Sequence, residues 1–593
     1  MGRASPSADG DPQCPAPLGD KRGAMSRSRG IITLAVLAAI ALLYLPVRHA
    51  GFVWDDLLNF QQMPWLRTGD QWKQIIFRGY NDWAYYFRPL IIAFFTLQIR
   101  LFDDAPGPMH LVSLAMHLLN TFIVGLLALR LRAACGRQDD GLERWLVPAL
   151  PMLFFGLHPA LVEAVVWVGC QFELALTLFI LLALLANLSI KSQLFRAIVV
   201  GALFFLSALS KESAVCFPLL LLCQDMLLAR DAASNGFARR MMSFVRERGG
   251  IYMACAIAGL IYLGLRQWAL GRINPLAQVH VDVLTNLQQA CFLYLRYWAL
   301  AIVPSGLNPL HPALPYPPEH LTALSGLIDV AAISIVIGAI ILAVRRRSPA
   351  AISVLAFSVA IAPALHLGSI NFDGSTYHER YAMLAIAALA VFVPTAFSRW
   401  PFATSNRVVS VVPAVACLAW LATSILALIT VIPLWSSNLR LWEWALAVNP
   451  HAEEAKAMLF NAYDAAGRTS DARHLADRIM SDPVPCDKCV VNVANFALDQ
   501  GDLALASTAL DKVQASRQLR YDPRMLHSYL FGRARWLLAT GQIADGKAML
   551  TMTIEGDPTD PQPYAVMGSV LLREGNADEA ERYLSKARAL TLP

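Results

Sequence analysis

The chain has 593 residues, 56% of them hydrophobic and only 16% charged, with a mean hydropathy of +0.47. That composition excludes an ordinary soluble protein and points to an all-α, polytopic helical membrane protein. The net charge of +6 is small for this length and sits in a few loops, so it speaks for membrane topology and against nucleic-acid binding.

Residues 1–30 are rich in Gly, Pro, Ser and Arg and are expected to form a disordered cytoplasmic tail. Arg22, Arg27 and Arg29 precede the apolar run 31–47, which no small-residue cleavage pattern closes. The run therefore reads as an uncleaved first helix with its N-terminus inside. The outer loop that follows, 48–108, holds Asp55-Asp56, a Trp- and Tyr-rich segment, and Tyr85-Tyr86-Phe87-Arg88-Pro89-Leu90. Adjacent carboxylates just past a membrane helix are costly near lipid unless they act there. They are candidate catalytic groups, with a solvated, helix-capping loop as the plain alternative.

The basic flanks set the remaining topology. Span 109–129 ends in Arg130 and Arg132, which belong inside. Segment 88–102, about 15 residues against the ~20 that a crossing needs, is expected to lie along the interface. Spans 145–157, 173–190, 194–209 and 213–229 then deliver the basic loop 230–248 to the cytoplasm. After span 251–266, counting 286–303 as a crossing would put Arg345-Arg346-Arg347 outside, so it is expected to be interfacial or re-entrant. Spans 325–344, 350–367, 382–398 and 408–434 bring the total to about eleven and leave the C-terminus outside.

From residue 435 the composition becomes soluble, Ala-rich and charge-balanced. Gly467, Gly501, Gly541 and Gly575, spaced 34, 40 and 34 residues apart, are each followed five residues later by Ala472, Ala506, Gly546 and Ala580. This is the period and small-residue packing of a tetratricopeptide-repeat α-solenoid over 435–593. Such a solenoid presents a curved surface to an extended peptide or partner protein. Of ten cysteines only Cys486 and Cys489 have motif spacing; without a second pair, an exposed disulfide or free thiols fit better than metal.

Polar clusters recur at the expected outer helix ends: His158-Pro159 with Glu163, Ser210-Lys211-Glu212, and Tyr377-His378-Glu379-Arg380-Tyr381. Singly, each reads as snorkelling, capping or a surface ion pair. Together, acids and bases on one side with aromatic neighbours suggest a pocket for an anionic lipid-linked substrate.

The ordered set WDD, YYFRPL, HLVSLAMHLLN, HPALVEAVVWV, ALSKESAVCFPLLLL and HERY, followed by the repeats, resembles the transmembrane and tetratricopeptide repeat-containing protein O-mannosyltransferases and their bacterial relatives. These are C-type (GT-C) glycosyltransferases, which use polyprenyl- or dolichyl-phosphate sugars. The resemblance runs from Gly51 to the end of the chain. It implies a catalytic membrane domain over 31–434 with the repeats holding a protein acceptor; the uncleaved basic N-terminus and the abundance of Ala, Leu and Arg suit a bacterial inner membrane, which puts the outer repeats in the periplasm. It also implies that Asp55 or Asp56 activates the acceptor hydroxyl, that Lys211, Arg380 and Arg88 hold the donor phosphate, and that transfer inverts the anomeric carbon. His158, Glu163, Glu212, Glu379, His110, His117 and Tyr86 would line the pocket, and a divalent cation is left open as a cofactor.

Three departures touch the pocket lining: Ser113 in place of Asn, Cys170-Gln171-Phe172-Glu173 in place of a Gly-Arg-Lys-Asp run, and Ala-Met-Leu-Ala after Tyr381. They leave mannose as the family default for the donor sugar. The competing readings are an O-oligosaccharide ligase, which needs a larger late outer loop than 368–381, and a membrane-tethered scaffold for envelope proteins. What separates enzyme from scaffold is whether Asp55, Asp56, Lys211 and Arg380 converge.

Overall fold

The computed structural model describes residues 18–62, 86–137, 143–228, 237–271, 283–311, 323–366, 377–397, 407–483, 486–516 and 518–591. The first 17 residues of the tail, 63–85 of the outer loop, 229–236 of the basic loop and 367–376 of the late loop lie outside them. The described residues are helical and contain no strand.

The first part of the chain runs α1 (Leu18–Tyr44), α2 (Pro89–Phe102), α3 (Pro106–Ala134), α4 (Glu143–Gly156), α5 (Val162–Val166), α6 (Gln171–Ser189) and α7 (Gln193–Ser210). It continues with α8 (Phe217–Leu228), α9 (Phe237–Leu270), α10 (Val283–Ile302), α11 (Ala323–Arg346), α12 (Pro349–Ile361), α13 (Met383–Ala396) and α14 (Arg407–Val431). Among the described residues eight helices, in α1, α3, α6, α7, α9, α11, α13 and α14, are long and apolar enough to cross a membrane. The expected eleven is therefore not met on length. Expected span 145–157 is α4, bent by 53° from the helical segment Pro159–Val166, and counts as a ninth only if the bent pair is one crossing. The bend falls at His158-Pro159 because proline cannot continue a helix and disfavours helical backbone in the residue before it. The other two, α8 and α12, have 12 and 13 residues, about 18–20 Å at 1.5 Å per residue against a ~30 Å hydrocarbon layer. Segment 88–102 is the 14-residue α2, as short as expected.

Burial sorts these helices into layers. The segment Glu379–Ala396 is 83% buried and Val168–Ser189 is 72% buried, whereas Ser325–Arg346 and Val411–Ser436 are only 17% buried. Thus α13, α6 and α3 form the packed middle, and α11 and α14 turn apolar faces outward, as helices in lipid can.

The C-terminal part stacks helices in pairs: α15 (Asn438–Val448) with α16 (Glu453–Ala465), α17 (Thr469–Ser481), α18 (Asp487–Asp499) with α19 (Leu503–Gln514), α20 (Pro523–Ala539) with α21 (Ile543–Gly556), and α22 (Pro561–Arg573) with α23 (Ala577–Thr591). The four repeat glycines end α16, α18, α20 and α22 at φ between 65° and 83°. At each, the N–H of the next residue reaches back to close the helix, as from Arg468 to Tyr463 O at 2.9 Å and Asp502 to Ala497 O at 2.8 Å. Ala472, Ala506 and Ala580 are fully buried where neighbouring helices touch. Cys486 and Cys489 form a disulfide that is buried, not exposed, because it caps the start of α18 against the Glu453 carbonyl at the head of α16.

Candidate active site

The first loop reaches the middle of the molecule at once. Asp56 is fully buried; its Oδ1 accepts the Gly169 N–H at 2.7 Å, and its Oδ2 makes no hydrogen bond among the described residues. The Trp167 indole nitrogen lies beside it: a Cβ on Gly169 would stand 2.9 Å from Asp56 Oδ1 and 3.0 Å from Trp167 Nε1. Glycine is thus required sterically, which composition did not reveal. Burial pushes the Asp56 carboxyl well above the usual carboxylate range, against the hydrogen bond from Gly169, and the neighbouring Asp55 adds to the rise. Asp55 stands next to it, exposed.

From Trp167 a continuous run of cations and rings extends away from Asp56. The Arg380 guanidinium is 5.2 Å from the Trp167 ring and 4.9 Å from that of Tyr381. Lys211 Nζ lies 4.5 Å from the Tyr381 ring and 5.2 Å from Phe172, and Arg88 lies 4.5 Å from Phe172 and 4.3 Å from Tyr86. Lys211 is where α7 stops, in extended backbone, so its side chain leaves the helix end toward α6.

Every cation of the run has an acid. Arg380 pairs with Glu163, which also accepts the Arg380 backbone N–H at 3.0 Å. Lys211 pairs with Glu173, and Glu212 is bracketed by Arg88 at 3.0 Å and Arg266 at 3.1 Å. These pairs set four cations against three carboxylates. Burial lowers the Lys211 ammonium, with Glu173 opposing the fall. Burial also pushes Glu212 up, but its two arginines outweigh this and leave it below its usual value. Arg380 Nε is a buried donor with no hydrogen bond among the described residues. An unmet donor on Arg380 and an unmet acceptor on Asp56, both beside Trp167, are what a ligand would satisfy.

Not every expected residue joins this run. Glu379, buried, turns aside to His311 at 2.6 Å and the Asn308 N–H at 3.0 Å. His110, His117 and His158 bond to backbone carbonyls of Gly51, Gly156 and Ala301 at 3.1–3.2 Å, positions that pin chain segments together. Sequence reasoning missed Trp54, Trp167, Gly169, Tyr381 and Arg266 as site members. It counted Glu173 only as part of a departure, although Glu173 is the partner of Lys211. Among the described residues no three His, Cys, Asp or Glu side chains gather as a metal site, and no step is assigned to a cation.

No family model matches the chain, and no solved structure matches it. A Caenorhabditis elegans protein named as a protein O-mannosyl-transferase is 26% identical over 219 residues. The match covers 35% of this chain and 30% of the relative, so the chain spans less than a third of that protein's length.

Proposed function

We propose that this chain is a membrane glycosyltransferase of the GT-C kind, moving a sugar from a polyprenyl-phosphate donor to a hydroxyl of a protein acceptor. The observation that carries the reading is the run from Asp56 across Trp167 to Arg380, Lys211 and Arg88: a buried carboxylate with a free oxygen at one end and fixed cations at the other. The distant relative's name points the same way.

In this reading Asp56 Oδ2 takes the proton of the acceptor hydroxyl, while Gly169 holds Oδ1 and so fixes the carboxylate plane. The acceptor oxygen bonds to the anomeric carbon as the carbon–oxygen bond to phosphate breaks. The electron pair leaves on the lipid phosphate, and attack from the opposite face inverts the centre. Lys211, Arg380 and Arg88 meet the charge that develops there, where low dielectric strengthens them. Their carboxylate partners keep the run close to neutral before the donor arrives. Glu163 and Glu212 act through those cations, Tyr86 covers Arg88, and Asp55 stands at the exposed rim where an acceptor enters.

Mannose is the default sugar. The C-terminal helix pairs act as tetratricopeptide repeats that hold the acceptor chain. The N-terminus is cytoplasmic and the repeats lie in the periplasm of a bacterial inner membrane; keeping Arg130 and Arg345–Arg347 within then requires α4, α8 and α12 to cross together with the eight long helices. The test is incubation of the purified protein with radiolabelled polyprenyl-phosphate hexoses and a pool of hydroxyl-bearing peptides. Label entering peptide from one donor is expected; no transfer from any of them would leave a scaffold as the better reading.

A further inference from the structure

Asp55 and Asp56 follow Trp54, whose φ of 56° puts a bulky aromatic residue in the left-handed region. Such backbone costs on the order of 1–3 kcal/mol and persists only where the surroundings over-determine it. Three contacts do so here. The Trp54 ring stacks on Trp167 at 4.9 Å and 9°. Trp442 meets it edge-on at 5.1 Å. The Trp54 backbone N–H donates to Asn438 Oδ1 at 2.7 Å.

Two of these three come from α15, the first helix of the C-terminal part, which is 384 residues away along the chain. Trp442 is fully buried in making its contact, so the join is interior and not a surface touch. The residues around α15 are tied to the site a second time. Asn308 Nδ2 donates to Ala445 O at 3.4 Å and Asn449 Nδ2 to Leu310 O at 3.3 Å, while the Asn308 N–H holds Glu379, the neighbour of Arg380. Two residues before α15, Ser436 O accepts the Gly51 N–H at 2.9 Å.

We infer that α15 is a positioning element of the site: Asn438 and Trp442 hold Trp54 in its left-handed conformation and thereby set where the carboxylates of Asp55 and Asp56 stand. This rests on the transferase reading above. It changes the division of labour that the resemblance implies, in which the membrane part does the chemistry and everything after residue 435 only captures acceptor. The seam between the two parts runs through the catalytic loop. Removing 448–593 would keep Asn438 and Trp442 but lose Asn449, one of the ties to the Asn308–Glu379 strut.

The experiment compares full-length wild type in nanodiscs with Asn438→Ala, Trp442→Ala and Asn438→Asp. Transfer kinetics are measured beside carbodiimide labelling of Asp56, read by mass spectrometry against buried Asp225 in α8 as an internal reference. Small displacements of a reacting group cost up to ~10²-fold in rate, so the two alanine variants should lose about 10- to 100-fold in kcat with donor KM within about twofold. Labelling of Asp56 should rise while Asp225 stays protected, and Asn438→Asp, which still accepts the Trp54 N–H, should restore both. Wild-type kcat and labelling in both alanine variants would overturn the inference. So would Asp56 and Asp225 becoming labelled together with a lowered Tm and no rescue by aspartate, since that is a merely structural role. A wild type that transfers no sugar sinks the transferase reading alone, because the labelling still decides whether α15 positions the loop.

Discussion

The membrane part and the C-terminal part both use ion pairs, but in opposite settings. Around Trp167, Glu163 and Arg380 pair across 217 residues with side chains 3% and 11% exposed. In the helix pairs, Lys547 and Glu574 meet across 27 residues at 33% and 38% exposure, and Arg535 and Asp499 across 36 at 25% and 51%. The solvated pairs join neighbouring helices and contribute little each. The buried ones join distant segments in a medium where an unpaired charge is very costly. The same residue types therefore mark architecture in one region and a site in the other.

The sharpest way to break the contrast is at Asp56. Asp56→Asn should cut transfer by about 10²–10⁴-fold, the range for losing a general base, and Asp55→Asn by less. Because burial raises the Asp56 pKa, the base is the deprotonated form and activity should fall as pH drops through a midpoint above the ordinary carboxylate range. That acidic limb should vanish in Asp56→Asn. A wild-type rate in the double variant removes the first loop from the chemistry.

Next in size is pair breaking. Arg380→Met leaves Glu163 buried and uncompensated and should cost about 3–5 kcal/mol in denaturation measured in detergent, with Glu163→Gln/Arg380→Met recovering much of it. Equal loss in single and double variants would mean that the pair is not coupled. Gly169→Ala comes third. Its methyl group must displace the Asp56 carboxylate or the Trp167 ring, so about 1–3 kcal/mol of overpacking should accompany a disproportionate loss of rate.

The smallest effects are expected in the helix pairs, where Lys547→Ala should change unfolding by less than about 1 kcal/mol. His527 adds a pH signature. The hydrogen bond to Asp560 at 2.9 Å raises its pKa in the folded state above the ordinary ~6.5. Its stabilisation is therefore full below that unfolded value and lost as pH rises through the raised one. Unfolding curves from pH 5 to 9 should show the loss in wild type and not in His527→Gln.

What could be read from sequence follows the same division. The repeat glycines and the small residues five positions later were legible because their cause is local: a left-handed turn and a close helix approach recur at one period. Asp55-Asp56, Lys211, Arg88 and Arg380 were legible as polar groups interrupting apolar runs. Which acid answers which cation was not, because no periodicity links residue 163 to 380 or 88 to 212. Trp54 and Trp167 stood only within the WDD and HPALVEAVVWV motifs, and their role appears only once they stack. The expected eleven spans are not met on length at α8 and α12, because the apolar stretches 213–229 and 350–367 take in parts of Glu212–Cys216 and Ala362–Leu365, which form tighter 3₁₀ turns.

The Cys486–Cys489 bond has a use that depends on none of this chemistry. A bond closed across two intervening residues survives in an oxidising compartment and is kept open by the thiol pools of a reducing one. Trapping cellular thiols with a bulky maleimide before lysis, then reducing and tagging again, separates the two states by gel mobility. A closed pair in growing cells places α15 to α23 beyond the cytoplasm, and an open pair places them within it. The molecule thus keeps its own record of which face of the membrane its C-terminal part occupies, with no fused reporter to disturb the helix that touches the first loop.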